Sequence, residues 1–352
     1  MLKSTKIILI TATALLVGGI GITGAAYAFS GFDPHIFLLR TRSAEAYERK
    51  TADIAEDFRN IYVDCKTEDI KFLTSTDGKV KVEYSDCDKF THNVAVSGDS
   101  LRISAEDERT WSFVFGFTTA LDGEDNPKLY HPIYVYLPDG KEYGDISVHF
   151  TTGDILSSTK LVCDKFEAKL TTGDIHADDI EAKTVDASGT TGDIKLGNIK
   201  AEEIKAVLTT GDIKLENTEA DSTDLSINTG DLTLDSAGKG NLKLDITTGD
   251  IKLNNVEATI SSISGKTGDV ILNSYKADDT VISLTTGDVQ GTVTGDYQYK
   301  TKINIGDIEV PDSAGEAKMD ISVKTGEIDI SKRYALKGPY PDTSAEYSSS
   351  RG

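Results

Sequence analysis

Over 352 residues the chain carries 58 acidic against 37 basic side chains, a formal net charge of −21. Such a surface repels DNA, RNA and anionic lipid and favours cationic partners or divalent metal, the plainer reading being solubility for an extended β protein. Hydrophobic residues amount to a modest 38%, enough for a core if they alternate regularly.

Ile7 to Ala28 is a stretch of 22 residues without a charge, preceded by Lys3 and Lys6. That length crosses a bilayer as a helix, and the lysines place the N-terminus in the cytoplasm. Residues 1–30 therefore read as a single-pass membrane anchor, with the C-terminal domain extracellular. Ala26-Tyr27-Ala28 also fits a small-x-small cleavage site, so a cleaved signal segment is the alternative. The length of the span and Gly18, Gly19 and Gly21 favour the anchor. Residues 31–57, with Arg40, Arg42, Glu45, Glu48, Arg49 and Lys50, read as a charged connector.

From Phe58 to Phe150 the signal turns to β. Short alternating runs at about 60–66, 69–75 and 79–85, then at Val94-Ala95-Val96, Leu101-Arg102-Ile103 and Ile133 to Leu137, are separated by turn residues such as Asp77-Gly78 and Ser97-Gly98-Asp99. Residues 58–150 are expected to form a small antiparallel capping module, because an open coil end would present unpaired N–H and C=O groups. In an exported chain the pair Cys65 and Cys87 could form a disulfide; buried or free thiols at Cys65, Cys87 and Cys163 are the simpler expectation. Trp111, Phe113, Phe115 and Phe117 alternate on one strand face, as module core or as an exposed patch for a partner.

The remainder is a repeat. Gly153-Asp154, Gly173-Asp174, Gly192-Asp193, Gly211-Asp212, Gly230-Asp231, Gly249-Asp250, Gly268-Asp269, Gly287-Asp288, Gly306-Asp307 and Gly326-Glu327 recur at intervals of 19 residues, or 20 at the first and last step. Two positions after each glycine stands Ile, Leu or Val, from Ile155 to Ile328, and four after it come Leu196, Leu215, Leu234, Leu253 and Leu272. A strict period with fixed apolar columns means one unit stacked on itself, an all-β fold in which residues 151–331 form a single-stack β-solenoid of about ten coils. At ~4.8 Å per rung the stack is about 43 Å from first to last.

The turn glycine supplies unusual backbone angles, and the acid beside it accepts hydrogen bonds from nearby backbone N–H groups. Acids stacked so closely repel, and Lys195, Lys214 and Lys252 are natural ion-pair neighbours. Calcium along the acidic column is the sharper alternative, disfavoured because the nonapeptide pattern of calcium-binding β-rolls is absent. Residues 332–352, with Gly338-Pro339, Pro341 and Ser348-Ser349-Ser350, read as a disordered tail. No metal, cofactor or catalytic constellation emerges: His35, His92, His131, His149 and His176 are scattered, and no H-E-x-x-H, G-x-S-x-G or phosphate loop occurs.

The Thr-Thr-Gly-Asp-Ile repeats, preceded by Leu101-Arg102-Ile103, Arg109-Thr110-Trp111 and Ile133-Tyr134-Val135-Tyr136-Leu137-Pro138, resemble the bacterial "putative adhesin" family, domain of unknown function 4097, over about residues 58–330. The resemblance implies a β-strand-repeat protein of the cell surface, common in Gram-positive bacteria, with no established activity. It also implies an association with cell-envelope stress responses, including sensing of cationic antimicrobial peptides. The function expected is therefore non-enzymatic: a membrane-anchored surface protein binding an envelope polymer, peptide or protein. A regulatory component of envelope stress signalling is the second reading, and a glycan-cleaving solenoid the third.

Overall fold

In a computed structural model, which describes residues 47–108 and 132–333, every regular element is a β-strand. The anchor segment, the aromatic run at 111–117 and the tail after Arg333 lie outside the described residues. The leading strands are β1 (Glu48–Ile54), β2 (Asn60–Thr67), β3 (Ile70–Thr74), β4 (Val80–Asp86), β5 (Phe90–Ser97), β6 (Ser100–Asp107), β7 (Ile133–Leu137), β8 (Glu142–Thr152) and β9 (Ile155–Ser157). The repeat continues through β10 (Leu161–Thr172), β11 (Ile175–Thr191), β12 (Ile194–Thr210), β13 (Ile213–Glu216), β14 (Glu219–Thr229), β15 (Leu232–Asp235), β16 (Gly238–Thr248) and β17 (Ile251–Asn254). It closes with β18 (Glu257–Thr267), β19 (Val270–Thr286), β20 (Val289–Val293), β21 (Tyr297–Ile305), β22 (Ile308–Glu309), β23 (Ala317–Thr325) and β24 (Ile328–Lys332).

Each middle coil pairs in parallel with the next at the repeat offset, so like stacks on like: Ile194 on Ile213, Leu215 on Leu234, Ile227 on Ile246. The inward columns are sealed, with Ile213, Leu215, Leu225, Leu232 and Leu234 all fully buried. Burial of each such side chain is worth about 1.5–3 kcal/mol, which is how a modest apolar content holds a long rod together. Two sharp bends define the coil. One is the Gly-Asp turn. The other is a column of left-handed residues, Asp179, Asn198, Asn217, Ser236, Asn255 and Ser274, with φ between 51° and 59°. Asn, Asp and Ser tolerate that region because their short polar side chains bond locally.

The leading residues differ from a separate antiparallel module. β2 and β3 are solenoid strands: β2 lies parallel to β8 and to β6, and β3 parallel to β9 and to β7. The column of Ile155 therefore extends through Ile70 to Ile133, two rungs beyond the glycine-marked coils. Antiparallel pairing is confined to the outside, where β4 covers β7, β5 covers β6, and β1 adds to β4. The reversed strands satisfy the edge of the last parallel rung, which a parallel continuation would only move outward. β1 also falls within the stretch read as connector; alternation in Thr51-Ala52-Asp53-Ile54 and pairing to β4 outweigh its charge.

Candidate functional site

The turn column follows from close approach of successive rungs. At Gly230 φ is 135°, and an added Cβ would lie 1.8 Å from the carbonyl oxygen of Gly211. Only glycine fits where backbone packs on backbone this closely. The glycine N–H then donates to the threonine carbonyl of the neighbouring rung, as from Gly211 to Thr229 at 3.1 Å. The residue after the acid donates to the neighbouring acid's carbonyl, as from Ile213 to Asp231 at 3.0 Å.

The acid works across rungs rather than within its own turn. Oδ1 of Asp212 accepts the main-chain N–H of Asp231 at 2.8 Å, and Asp231 accepts that of Asp250 at 2.9 Å. The same bond links Asp154 to Asp174, Asp174 to Asp193, Asp193 to Asp212, Asp250 to Asp269 and Asp269 to Asp288. One donor per carboxylate offsets the repulsion along the column. The structure thus brings the predicted Gly-Asp residues into one continuous ladder, half-buried or exposed along one edge of the rod.

The ladder begins earlier than the glycines reveal. Asp69 Oδ1 accepts the N–H of Asp154 at 2.9 Å, and an added Cβ at Gly153 would strike the carbonyl of Glu68. Thr67-Glu68-Asp69-Ile70 is therefore another copy of the turn, with Glu68 standing in the glycine column. Sequence reasoning missed it because it followed glycine; the Thr-x-Asp-Ile frame was the available signal.

Lys252 lies 3.8 Å from Asp231 of the ladder, whereas Lys195 and Lys214 pair instead with Glu216. On the long strands the outward columns carry further pairs, such as Lys243 with Asp224 and Asp245 at 3.1 and 3.2 Å. Around Glu167 four partners converge. Lys169, Lys165 and Ser147 bond its carboxylate, and these bonds outweigh burial and hold it down to about 2. His149 Nε2 sits 3.3 Å from Glu167 Oε2 and 3.2 Å from Ser147 Oγ. A nucleophile relay needs serine on one imidazole nitrogen and the acid on the other. Here both lie on Nε2, so the cluster is an ion-pair network.

Two shallow grooves open between outward columns. One, of 490 Å³, is bordered by Ser226, Asp245, Ser264, Lys266, Ser283 and Lys324; the other, of 510 Å³, by Lys66, His149, Lys169, Thr171, Ser188 and Thr190. Among the described residues no group of three or more His, Cys, Asp or Glu side chains is placed to hold a metal ion.

No disulfide joins Cys65 to Cys87. Cys65 points into the core of the β2 rung, whereas Cys87 follows β4 at the turn into β5, so their side chains serve different layers. Burial, then the neighbouring Glu68, pushes the Cys65 thiol up; burial pushes that of Cys163 up to about 12. Both are packing residues. The proposed partner patch Trp111, Phe113, Phe115 and Phe117 lies outside the described residues.

A buried polar cluster lies at the cap. His92 of β5 is fully enclosed, with Nε2 2.6 Å from Glu68 Oε1 and Nδ1 2.8 Å from Asp86 Oδ1. Asp86 also accepts the His92 N–H at 2.9 Å and Lys50 Nζ at 2.9 Å. The scattered histidines of the sequence gave no sign of it, because its members come from three separate strands and a turn.

Among solved structures the chain is similar to a "putative adhesin" from Bacteroides fragilis NCTC 9343, at 17% identity and TM-score 0.35 over 80% of this chain and 97% of that one. A second "putative adhesin", from Parabacteroides distasonis ATCC 8503, shows 12% identity and TM-score 0.38 over 80% and 96%. A "putative lipid binding protein" from the same organism shows 14% identity and TM-score 0.38 over 81% and 97%. No curated protein matches the chain. The family model Toastrack DUF4097 matches residues 58–254 and 235–348, which is most of the chain and takes in the ladder and the cap strands β4 and β5, with β1 before its start. The chain belongs to the Toastrack DUF4097 family.

Proposed function

We propose that this is a non-enzymatic, extracytoplasmic surface protein, held to the cell membrane by the Ile7–Ala28 segment, that presents the flank of its solenoid to a ligand of the cell envelope. The observation that carries this reading is the acid ladder from Asp69 to Asp288, whose carboxylates recur at every rung along one edge. Evenly spaced charge on a rigid rod suits an extended or repetitive partner, because each rung adds a weak contact and the contacts sum along the length. The ladder and the net charge of −21 favour a cationic partner over nucleic acid or anionic lipid.

A second reading, sensing of cationic antimicrobial peptides within an envelope stress response, is favoured by the same ladder. Both are tested by binding of the full-length protein in detergent micelles to a cationic amphipathic peptide and to isolated cell wall, at low and high salt. Saturable peptide binding that weakens with salt, without wall retention, supports sensing. Salt-resistant retention on wall supports adhesion. Absence of both removes the ladder as a binding edge.

A further inference from the structure

We propose that His92, clamped between Glu68 and Asp86, is a protonation latch that fastens the β1–β4–β5 cap to the solenoid and releases it as the imidazolium loses its proton. The geometry suits a charged ring. Carboxyl oxygens face both nitrogens, at 2.6 and 2.8 Å, and an imidazolium donates to both at once. A neutral imidazole would turn a lone pair toward one carboxylate at hydrogen-bond distance, inside a site closed to water.

The parts it joins are distinct. Glu68 belongs to the rod, standing in the glycine column on the β2–β3 turn, whereas Asp86 and His92 belong to the antiparallel cap. Glu68 is itself 2% exposed, and its Oε2 has no hydrogen-bond partner, so this buried carboxyl relies on His92 and, more weakly, on the Cys65 thiol beside it. Asp86 in turn holds Lys50 of β1, whose pairing in the sheet is to β4. The latch thus bears on β1 as well, through Asp86 and Lys50.

The groups facing His92 are Glu68 from the β2–β3 turn, Asp86 and the Tyr84 ring from β4, and the Phe90 ring from its own strand, both rings at 5.0 Å. Cys65 of β2 lies beside Glu68, Lys50 of β1 behind Asp86, and β6 sets Ala105 opposite, flanked by exposed Glu106. With the proton in place His92 and Lys50 balance Glu68 and Asp86; without it one negative charge is left over. Burial opposes the charge on His92, but Glu68 and then Asp86 outweigh it and raise the imidazole above its ordinary value. The latch is therefore fully closed below the unfolded value of about 6.5 and opens as pH rises through the higher folded value.

The test is hydrogen exchange of the full-length protein in detergent micelles at about pH 6 and about pH 8.5, corrected for intrinsic rates, with the ring signal of His92 followed by NMR. Segments 48–54 and 80–97 should lose about tenfold or more in protection at the higher pH, in step with the ring titration, while rungs 213–286 hold. His92→Gln should show weak, pH-independent protection of the cap, and Glu68→Gln should move the transition to lower pH. Should His92→Gln fail to fold, the ring titration and Glu68→Gln decide alone. Equal cap protection at both pH values, or a transition retained in His92→Gln, would overturn the latch.

Discussion

Oδ1 of Asp288 accepts the main-chain N–H of Glu327 at 2.8 Å, 39 residues along the chain, and passes over Asp307. The last coil is thereby threaded one place inward: β23 and β24 lie between β19–β20 and the outermost coil, β21–β22. In β21–β22, Ile308 is 42% exposed although its repeat position is buried in the coils beneath, and Ile305, 68% exposed, stands in the column that elsewhere holds exposed threonine. Ile321 on β23 is fully buried beneath Ile282 and beside Thr301. Ile321→Ala should cost about 2–5 kcal/mol. Because β21 pairs with β23, hydrogen exchange of 297–305 should accelerate together with that of 317–325. Exchange of β23 alone would show that the outer coil is held some other way.

At the ladder, glycine and acid should fail differently. Gly230→Ala forces a Cβ into the Gly211 carbonyl and should lower the unfolding midpoint strongly, well beyond the ~1 kcal/mol of an ordinary glycine-to-alanine change. Asp212→Asn keeps an acceptor oxygen for the Asp231 N–H and should be nearly neutral. Asp212→Ala removes it and should cost about 1 kcal/mol. Urea midpoints of the three variants separate the roles; an Asn variant as unstable as the Ala variant would mean that charge, not acceptance, is what matters.

The middle of the rod was legible because identical rungs repeat their physics. Gly-Asp and the alternating Ile and Leu columns are local signals, and stacking multiplies each of them. The ends were not, because stack order there departs from chain order. Nothing in Ile70-Lys71-Phe72 says that it pairs with β9 as well as β7, and the 20-residue step before Gly326 gives no hint that its coil slips beneath that of Gly306. The His92 cluster was hidden for the same reason. Its members lie at positions 50, 68, 86 and 92 on four elements and belong to no shared motif. The second turn column could have been read: Asn198, Asn217 and Asn255 follow the repeat interval as faithfully as the glycines do.

The thiols give a direct check of the cap's packing. Cys65 and Cys163 are buried and held in the protonated form, so neither should react with iodoacetamide in the folded protein at mildly alkaline pH, and both should react after unfolding. Intact mass without reductant should show no loss of two hydrogens. A Cys65–Cys87 crosslink would require β2 to turn its inward face toward the β4–β5 turn, and its detection would refute the register of β2 on β8.

Glu167 offers the clearest pH signature in the rod. Its carboxyl, 13% exposed, is depressed from 4.5 to about 2, with the bond from Lys169 leading, burial opposing, and Lys165 and Ser147 adding. A depressed carboxylate contributes stability that is present above its unfolded value and lost as pH falls through the folded one. Here that window runs from about 4.5 down to about 2. The full shift would correspond to about 3 kcal/mol, but Lys165 and Lys169 are substantially exposed and solvent screens them, so about 1–2 kcal/mol is expected. Glu167→Gln should lower the urea midpoint at about pH 7 by that amount, less in high salt, and leave it unchanged near pH 2. An equal loss at both pH values would mean that Glu167 acts through packing and that its lysine partners contribute nothing.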